Sequence, residues 1–180
     1  MRLFFIILTP LILSWAHSLD ICGARGFIRT PSGRKRYNVF GAYNAINGAM
    51  VTVTNTTYIN SSSVIELLSK LALLHPDRPI KVILDNAAYQ RCYWVRSFAM
   101  LAGIELVFLP SYSPNLNLIE RYWKFLKKKC LYNHFYNDFE SFCAAIDDCL
   151  ANGDKKFAKE LKTLMTLKFQ YFENMQFLAV

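Results

Sequence analysis

Apolar and polar residues follow two different periods in the first half of the chain. The run Tyr37–Tyr43 is aromatic and β-branched, and Met50–Thr54 alternates with a period of two, so these segments predict a β-hairpin. After the polar stretch Asn60–Ser63, apolar residues recur at spacings of three and four as far as Leu74. This second pattern predicts a capped helix that packs on a core.

The second half of the chain predicts strands and helices in turn. The apolar runs Ile80–Leu84 and Ile104–Leu109 predict two buried strands, and a helix over Ala87–Ala102 separates them. The next helix begins after Pro114 and packs one apolar row on the sheet. Two more helices are predicted, over residues 138–150 and from 155 to about 172, with a break at 152–154.

Two carboxylates lie at prominent points of this pattern. Asp85 directly follows the buried strand Ile80–Leu84, and Glu120 lies just inside the helix that begins after Pro114. The two acids are separated by 34 residues, which is enough for one helix, one strand and a short loop. Because a crossover of this kind returns the chain beside its starting point, both acids are predicted to meet at one edge of a sheet.

Composition narrows the class of protein. A chain of 180 residues that is 53% hydrophobic can bury a core as one domain, and this composition argues against disorder. The net charge of +8 favours a polyanionic partner. The five cysteines are scattered without a CxxC pair, which argues against a disulfide framework or a zinc site and suits a reducing compartment.

The N-terminal segment has two interpretations. Arg2, the apolar run Leu3–Trp15 and the small residues after it have the outline of a signal peptide, although the run is too short for a membrane span. Alternatively, Leu3–Leu8 is what remains of a first core strand.

The second half of the chain resembles a known family. The run Leu84–Ala87 (LDNA), the run Leu109–Lys128 (LPSYSPNLNLIERYWKFLKK) and the 34-residue spacing resemble the catalytic domain of DDE transposases, most closely the bacterial insertion-sequence branch of the mariner superfamily. The similarity extends upstream to Pro31–Val39 and downstream to about Leu150. It implies an α/β fold, a ribonuclease-H-like mixed sheet with flanking helices whose first strand is missing or altered. The expected domains are a divergent apolar segment (1–27), the endonuclease domain (28–150) and a basic C-terminal helix (151–180).

The resemblance also implies a site and its chemistry. In this family three carboxylates hold two Mg²⁺ ions, with Mn²⁺ as a substitute, and Asp85 and Glu120 are expected to be the second and third catalytic metal ligands. The first ligand is expected near Ile7–Pro10, where the sequence has no acid, and Asp20 lies outside the right context. We therefore expect a truncated or frame-shifted copy that cuts DNA weakly or not at all. Expected phosphate contacts are Arg34, Lys35, Arg36, Arg121, Lys124, Lys127 and Lys128.

Structural alternatives remain open for each of these residues. Asp85 could cap the turn after its strand, Glu120 could belong to a capping box with Asn117, and the Arg34–Arg36 cations could be a solvated hairpin tip. On that reading the chain is a non-catalytic DNA-binding or interaction remnant. The resemblance implies that the partner is DNA, both as transposon ends and as target. It leaves open whether the chain forms a homodimer, and it implies a cytoplasmic protein without stable membrane association. A secreted small protein is the third alternative.

Overall fold

The computed structural model describes residues 3–7, 10–14, 35–44, 46–109, 118–132 and 134–166. Its centre is a six-stranded mixed sheet. The strands are β1 (Leu3–Ile7), β2 (Leu11–Ser14), β3 (Arg36–Asn44), β4 (Met50–Asn55), β5 (Ile80–Leu84) and β6 (Ile104–Phe108). The helices are α1 (Ser61–Leu74), α2 (Tyr93–Leu101), α3 (Leu118–Cys130), α4 (Phe139–Lys156) and α5 (Ala158–Leu164), with a 3₁₀ turn at Ala88–Gln90.

The strands β1 and β2 share one side of β3. Ile7 of β1 pairs with Ala42, and Leu11 of β2 pairs with Val39, both antiparallel. Strand β4 covers the same stretch of β3 from the opposite side. Strands β5 and β6 continue the sheet in parallel beyond β1. The lateral order is therefore β4, β3, then β1 with β2, then β5 and β6. The first strand is not missing, because β1 lies in the segment Leu3–Leu8 that the core-strand interpretation assigned to it.

Each face of the sheet buries its own core. On one face Phe40 and Val82 pack with helices α1 and α2. On the other face Val39 and Tyr43 pack with Ile119 of α3 and with α4. Residues 39 and 40 fall on opposite faces because neighbouring strand residues alternate. Both faces are covered by helices, as expected of the predicted α/β class.

Local capping explains where α1 begins. The Asn60 side chain accepts hydrogen bonds from the Ser62 and Ser63 backbone N–H groups at 3.0 and 3.2 Å. In return the Asn60 N–H donates to the Ser63 hydroxyl, which completes a capping box. The β3–β4 hairpin and α1 are therefore where the sequence pattern predicted them.

Several predicted helix boundaries are wrong. The helix predicted from Ala87 begins at Tyr93, because Asn86 has a left-handed φ of 73° and Ala87 is extended. The break predicted at 152–154 is absent, since α4 runs through it to Lys156 and ends at Phe157. The last helix, predicted from residue 155 to about 172, is α5 and ends at Leu164, while residues 167–172 lie outside the described residues.

The N-terminal segment contributes to the sheet. Residues 3–7 and 11–14 form β1 and β2, as in the core-strand interpretation. Among the helices that the structure describes, none is both long and apolar enough to cross a membrane.

Candidate functional site

Asp85 lies where three parallel strands end. Strands β1, β5 and β6 run in the same direction, so their carboxyl ends meet at one edge of the sheet, which we call the carboxyl edge. The Leu109 N–H donates to the Leu84 carbonyl at 2.8 Å, so β5 and β6 stay paired up to this edge. Asp85 is the next residue and is half-buried.

The turn after β5 uses the Asp85 side chain. Its Oδ1 accepts a hydrogen bond from the Ala87 N–H at 3.3 Å, as a turn-capping Asp would. An ionised carboxylate has about four acceptor positions, so this one long bond leaves capacity for other ligands. Burial and, to a smaller extent, the negative charge of Asp85 raise the pKa of Tyr89 to about 12, which places the Tyr89 phenol within electrostatic reach of Asp85.

Glu120 lies in the first turn of α3, which packs across the sheet. The Ile119 side chain is fully buried, and the Trp123 ring lies directly over Gly41 of β3. The same core includes Ile83 of β5. Because strand side chains alternate, Asp85 continues the row of Lys81 and Ile83. Asp85 and the α3 helix that carries Glu120 therefore belong to the same side of the sheet.

No acid is present where β1 reaches the carboxyl edge. Ile7 is the last residue of β1 and pairs in parallel with Leu84, the residue before Asp85. Neither β1 nor β2 contains Asp or Glu, and the sequence has none before Asp20. Within the described part of the chain, no group of three or more His, Cys, Asp or Glu side chains could hold a metal ion. The residues that the structure describes therefore do not fit a pair of divalent ions.

The cations at the start of β3 lie on aromatic rings. The Lys35 Nζ is 5.4 Å from the centre of the Phe139 ring, and the Arg36 guanidinium is 5.1 Å from that of Tyr58. Arg36 is six residues before Ala42, which pairs with Ile7, so it lies about 20 Å further along the sheet than the end of β1. Arg34 lies outside the described residues.

The cations of α3 differ in their surroundings. Lys124 and Lys128 are exposed, and Lys127 is half-buried. The Arg121 Nη1 donates to the Thr166 carbonyl at 3.0 Å and so ties α3 to the chain beyond α5. The neighbouring Lys129, which was not among the expected DNA contacts, pairs with Glu160 at 2.7 Å. Lys124 and Lys128 are therefore the α3 cations most open to a polyanion.

The comparisons with known proteins decide the family. The sequence model described as DDE superfamily endonuclease matches residues 14–143, which is well over half of the chain. The chain belongs to this family. The matched region begins at the last residue of β2, so β1 lies outside it. No curated protein matches the chain. Membership of the bacterial insertion-sequence branch stays a prediction.

Solved structures share the fold of this chain. The chain in the crystal structure of the Mos1 Strand Transfer Complex superposes with a TM-score of 0.61 at 15% identity, covering 94% of this chain and 56% of that one. The chain in the mariner Mos1 paired end complex with Mg superposes with a TM-score of 0.61 at 15% identity, covering 95% of this chain and 57% of that one. The structure of the Mos1 transposase catalytic domain and Raltegravir with Mn superposes with a TM-score of 0.58 at 14% identity, covering 94% of this chain and 84% of that one. The chain thus spans little more than half the length of the Mos1 chains in the first two complexes. The predicted ribonuclease-H-like fold is confirmed.

Proposed function

We propose that this chain is a transposase-type catalytic fold that binds DNA and cuts it weakly or not at all. One observation carries the proposal, the absence of an acid from β1 and β2 at the edge where Asp85 lies. A site of this class uses three carboxylates to hold two divalent ions, so removing one takes away about a third of its negative charge. The remaining pair, Asp85 and Glu120, supports at most one weakly held ion.

The ion that this pair would take is Mg²⁺, with Mn²⁺ as a substitute. Carboxylate oxygens suit both ions, and the Mos1 structures with Mg and with Mn concern proteins of the same fold. When bound, such an ion polarises a phosphodiester. The protein's own part is to place Asp85 at the end of β5 and Glu120 in the first turn of α3.

DNA is the proposed partner because exposed cations lie along α3 and at the start of β3. Exposed Lys124 and Lys128, together with Lys35 and Arg36, supply charge for phosphate contacts, while Arg34, Arg121 and Lys127 are weaker candidates. Transposon ends and target DNA are the expected substrates. Whether the chain forms a homodimer is left open, and a DNA partner favours a cytoplasmic location. The limits 28–150 and 151–180 stay our predicted domain boundaries.

A nicking assay tests the proposed lack of activity. Supercoiled plasmid is incubated with the full chain and Mg²⁺ or Mn²⁺, and we expect no nicking above a protein-free control. Robust nicking that disappears in Asp85→Ala would overturn the proposal, because it would show that two carboxylates suffice.

The second candidate function is a DNA-binding remnant in which both acids are structural. The bond from the Ala87 N–H to Asp85 favours it. Metal dependence separates the two candidates. If Glu120 is a ligand, Mg²⁺ raises the melting temperature and Glu120→Gln abolishes the rise. Glu140→Gln is the matched control, since Glu140 also lies in the first turn of a helix. Salt-sensitive DNA binding without any effect of metal supports the remnant.

A further inference from the structure

Helix α2 begins with two exposed aromatic side chains. Tyr93 is 75% exposed and Trp94 is 70% exposed, and their rings meet edge to face with centroids 5.7 Å apart. Two large adjacent rings that no described part of the chain covers mark a surface on which another molecule can pack.

The fold places this aromatic pair at the end of the molecule that carries Asp85. Helix α2 connects β5 to β6, and these strands are parallel neighbours. A crossover helix between parallel strands runs against them, so its first turn lies at the carboxyl edge. Tyr93 and Trp94 occupy that first turn, eight and nine residues after Asp85 in the sequence.

Arginines accompany the aromatic rings at this end. Arg91 is exposed and immediately precedes α2, whose first turn contains no acid. Arg96, in the same helix, is also exposed, and its guanidinium lies 5.7 Å from the centre of the Phe108 ring at the end of β6. Exposed rings interleaved with cations are the combination that binds single-stranded nucleic acid, since each base offers a ring face and each nucleotide a negative charge.

We propose that Tyr93 and Trp94 form a stacking platform for unpaired bases of DNA, with Arg91 beside it for the backbone. The proposal rests on the proposed function and adds to it the form of DNA that the carboxyl edge prefers, a duplex end with unpaired bases. The net charge of +8 favours DNA over a second copy of this chain, which would bring like charge against like.

The test compares two DNA ligands with the full chain. One is a fluorescein-labelled 20-base-pair blunt duplex, and the other is the same duplex with a four-thymine single-stranded extension. We expect fluorescence anisotropy to show tighter binding of the extended duplex. Trp94→Ala and Tyr93→Ala should each weaken binding of the extended duplex about fivefold or more and leave blunt-duplex binding unchanged.

Met100→Ala is the matched control. Met100 is 76% exposed on the same helix, but near its C-terminal end, away from the carboxyl edge. We expect it to bind both ligands as the unchanged chain does. Circular dichroism melting confirms that all three variants fold, which exposed positions should allow.

Distinct outcomes overturn the platform and the proposed function. The platform alone is overturned if the chain binds the blunt duplex in a salt-sensitive way but shows no preference for the extended duplex. It is also overturned if both variants keep that preference. Self-association that Trp94→Ala abolishes assigns the patch to a second copy and also overturns the platform. Failure to bind either DNA overturns both proposals.

Discussion

At the scale of single residues, Gly41 determines how closely α3 approaches the sheet. A Cβ at this position would lie 2.8 Å from the Trp123 Cη2 and 3.3 Å from the Met50 Sδ. The missing side chain therefore leaves the room that the indole occupies. Because Trp123 and Glu120 share α3, this contact also fixes the helix that brings Glu120 to the sheet.

Gly41→Ala should destabilise the fold by about 1–3 kcal/mol, the usual cost of overpacking a core. Urea unfolding measures the change. Gly153→Ala is the control, because its Cβ would meet the Tyr122 hydroxyl and the Cys149 sulfur at ordinary distances of 3.6 and 3.8 Å. Gly153 lies within α4, so alanine there should be neutral or stabilise by up to about 1 kcal/mol. Equal stability of Gly41→Ala and the unchanged chain would contradict the packing argument.

Tyr37 predicts how stability changes at alkaline pH. Burial and the hydrogen bond to the Asp147 carboxylate, at 2.6 Å, together raise the pKa of Tyr37 to about 12. The folded state therefore holds this proton more tightly than the unfolded state, whose pKa is near 10. The contribution to stability is complete below pH 10 and is lost as pH rises towards 12.

Tyr37→Phe should flatten the fall in the free energy of unfolding between pH 10 and 12. The variant should reduce this fall without removing it, because the pKa of Tyr89 is also raised to about 12. Urea unfolding at several pH values measures it. Tyr58→Phe, at an exposed tyrosine, should follow the unchanged chain. If the free energy of unfolding of Tyr37→Phe falls as steeply with pH as that of the unchanged chain, Tyr37 is not the group responsible.

At the scale of elements, local signals predicted some boundaries and missed others. Helix α1 has its cap in the sequence at Asn60, and the hairpin has its period of two. The start of α2 was wrong because it depends on the left-handed Asn86, whose backbone conformation no neighbouring residue dictates. The predicted end of α4 was wrong because Gly153 lies buried next to Tyr122. This tertiary packing outweighs the tendency of glycine to break helices.

Asn60→Ala should cost about 1 kcal/mol, since it removes the side chain that accepts from two N–H groups at the start of α1. Thermal or urea unfolding measures the loss. Ser62→Ala changes a neighbouring residue but keeps the Ser62 N–H as donor, so it should be close to neutral. A similar loss in both variants would show that helix propensity, and not the cap, is responsible.

At the scale of the whole molecule, the described sheet contains the first strand of the fold, but β1 and β2 carry no acid. Strand β1 pairs with β3 on one side and β5 on the other without any acid. The runs that contain Asp85 and Glu120, and the crossover between them, predicted one side of the sheet for both acids, and their role as metal ligands stays a prediction. The sequence could not predict that Tyr89 lies within electrostatic reach of Asp85 or that Tyr93 is exposed, because a period along the chain does not say which neighbour covers a residue.

Supplying an acid after β1 should produce activity. Leu8 follows Ile7 in the sequence as Asp85 follows Leu84, and Ile7 pairs with Leu84. We expect Leu8→Asp to nick plasmid with Mg²⁺ or Mn²⁺ above the level of the unchanged chain. Leu8→Asn, with the same shape but no charge, and the double variant Leu8→Asp with Asp85→Ala should not. A folded Leu8→Asp variant that never nicks would show that more than one carboxylate is lacking.

The central position of β1 has a consequence for how the chain is made. This strand is synthesised well before its parallel neighbour β5, which ends only at Leu84. Until then one side of a very apolar segment has open N–H and C=O groups, which other nascent chains can pair with. Closing so long a loop is also slow. Aggregation during synthesis, and relief by chaperones, is therefore the expected weakness of this molecule.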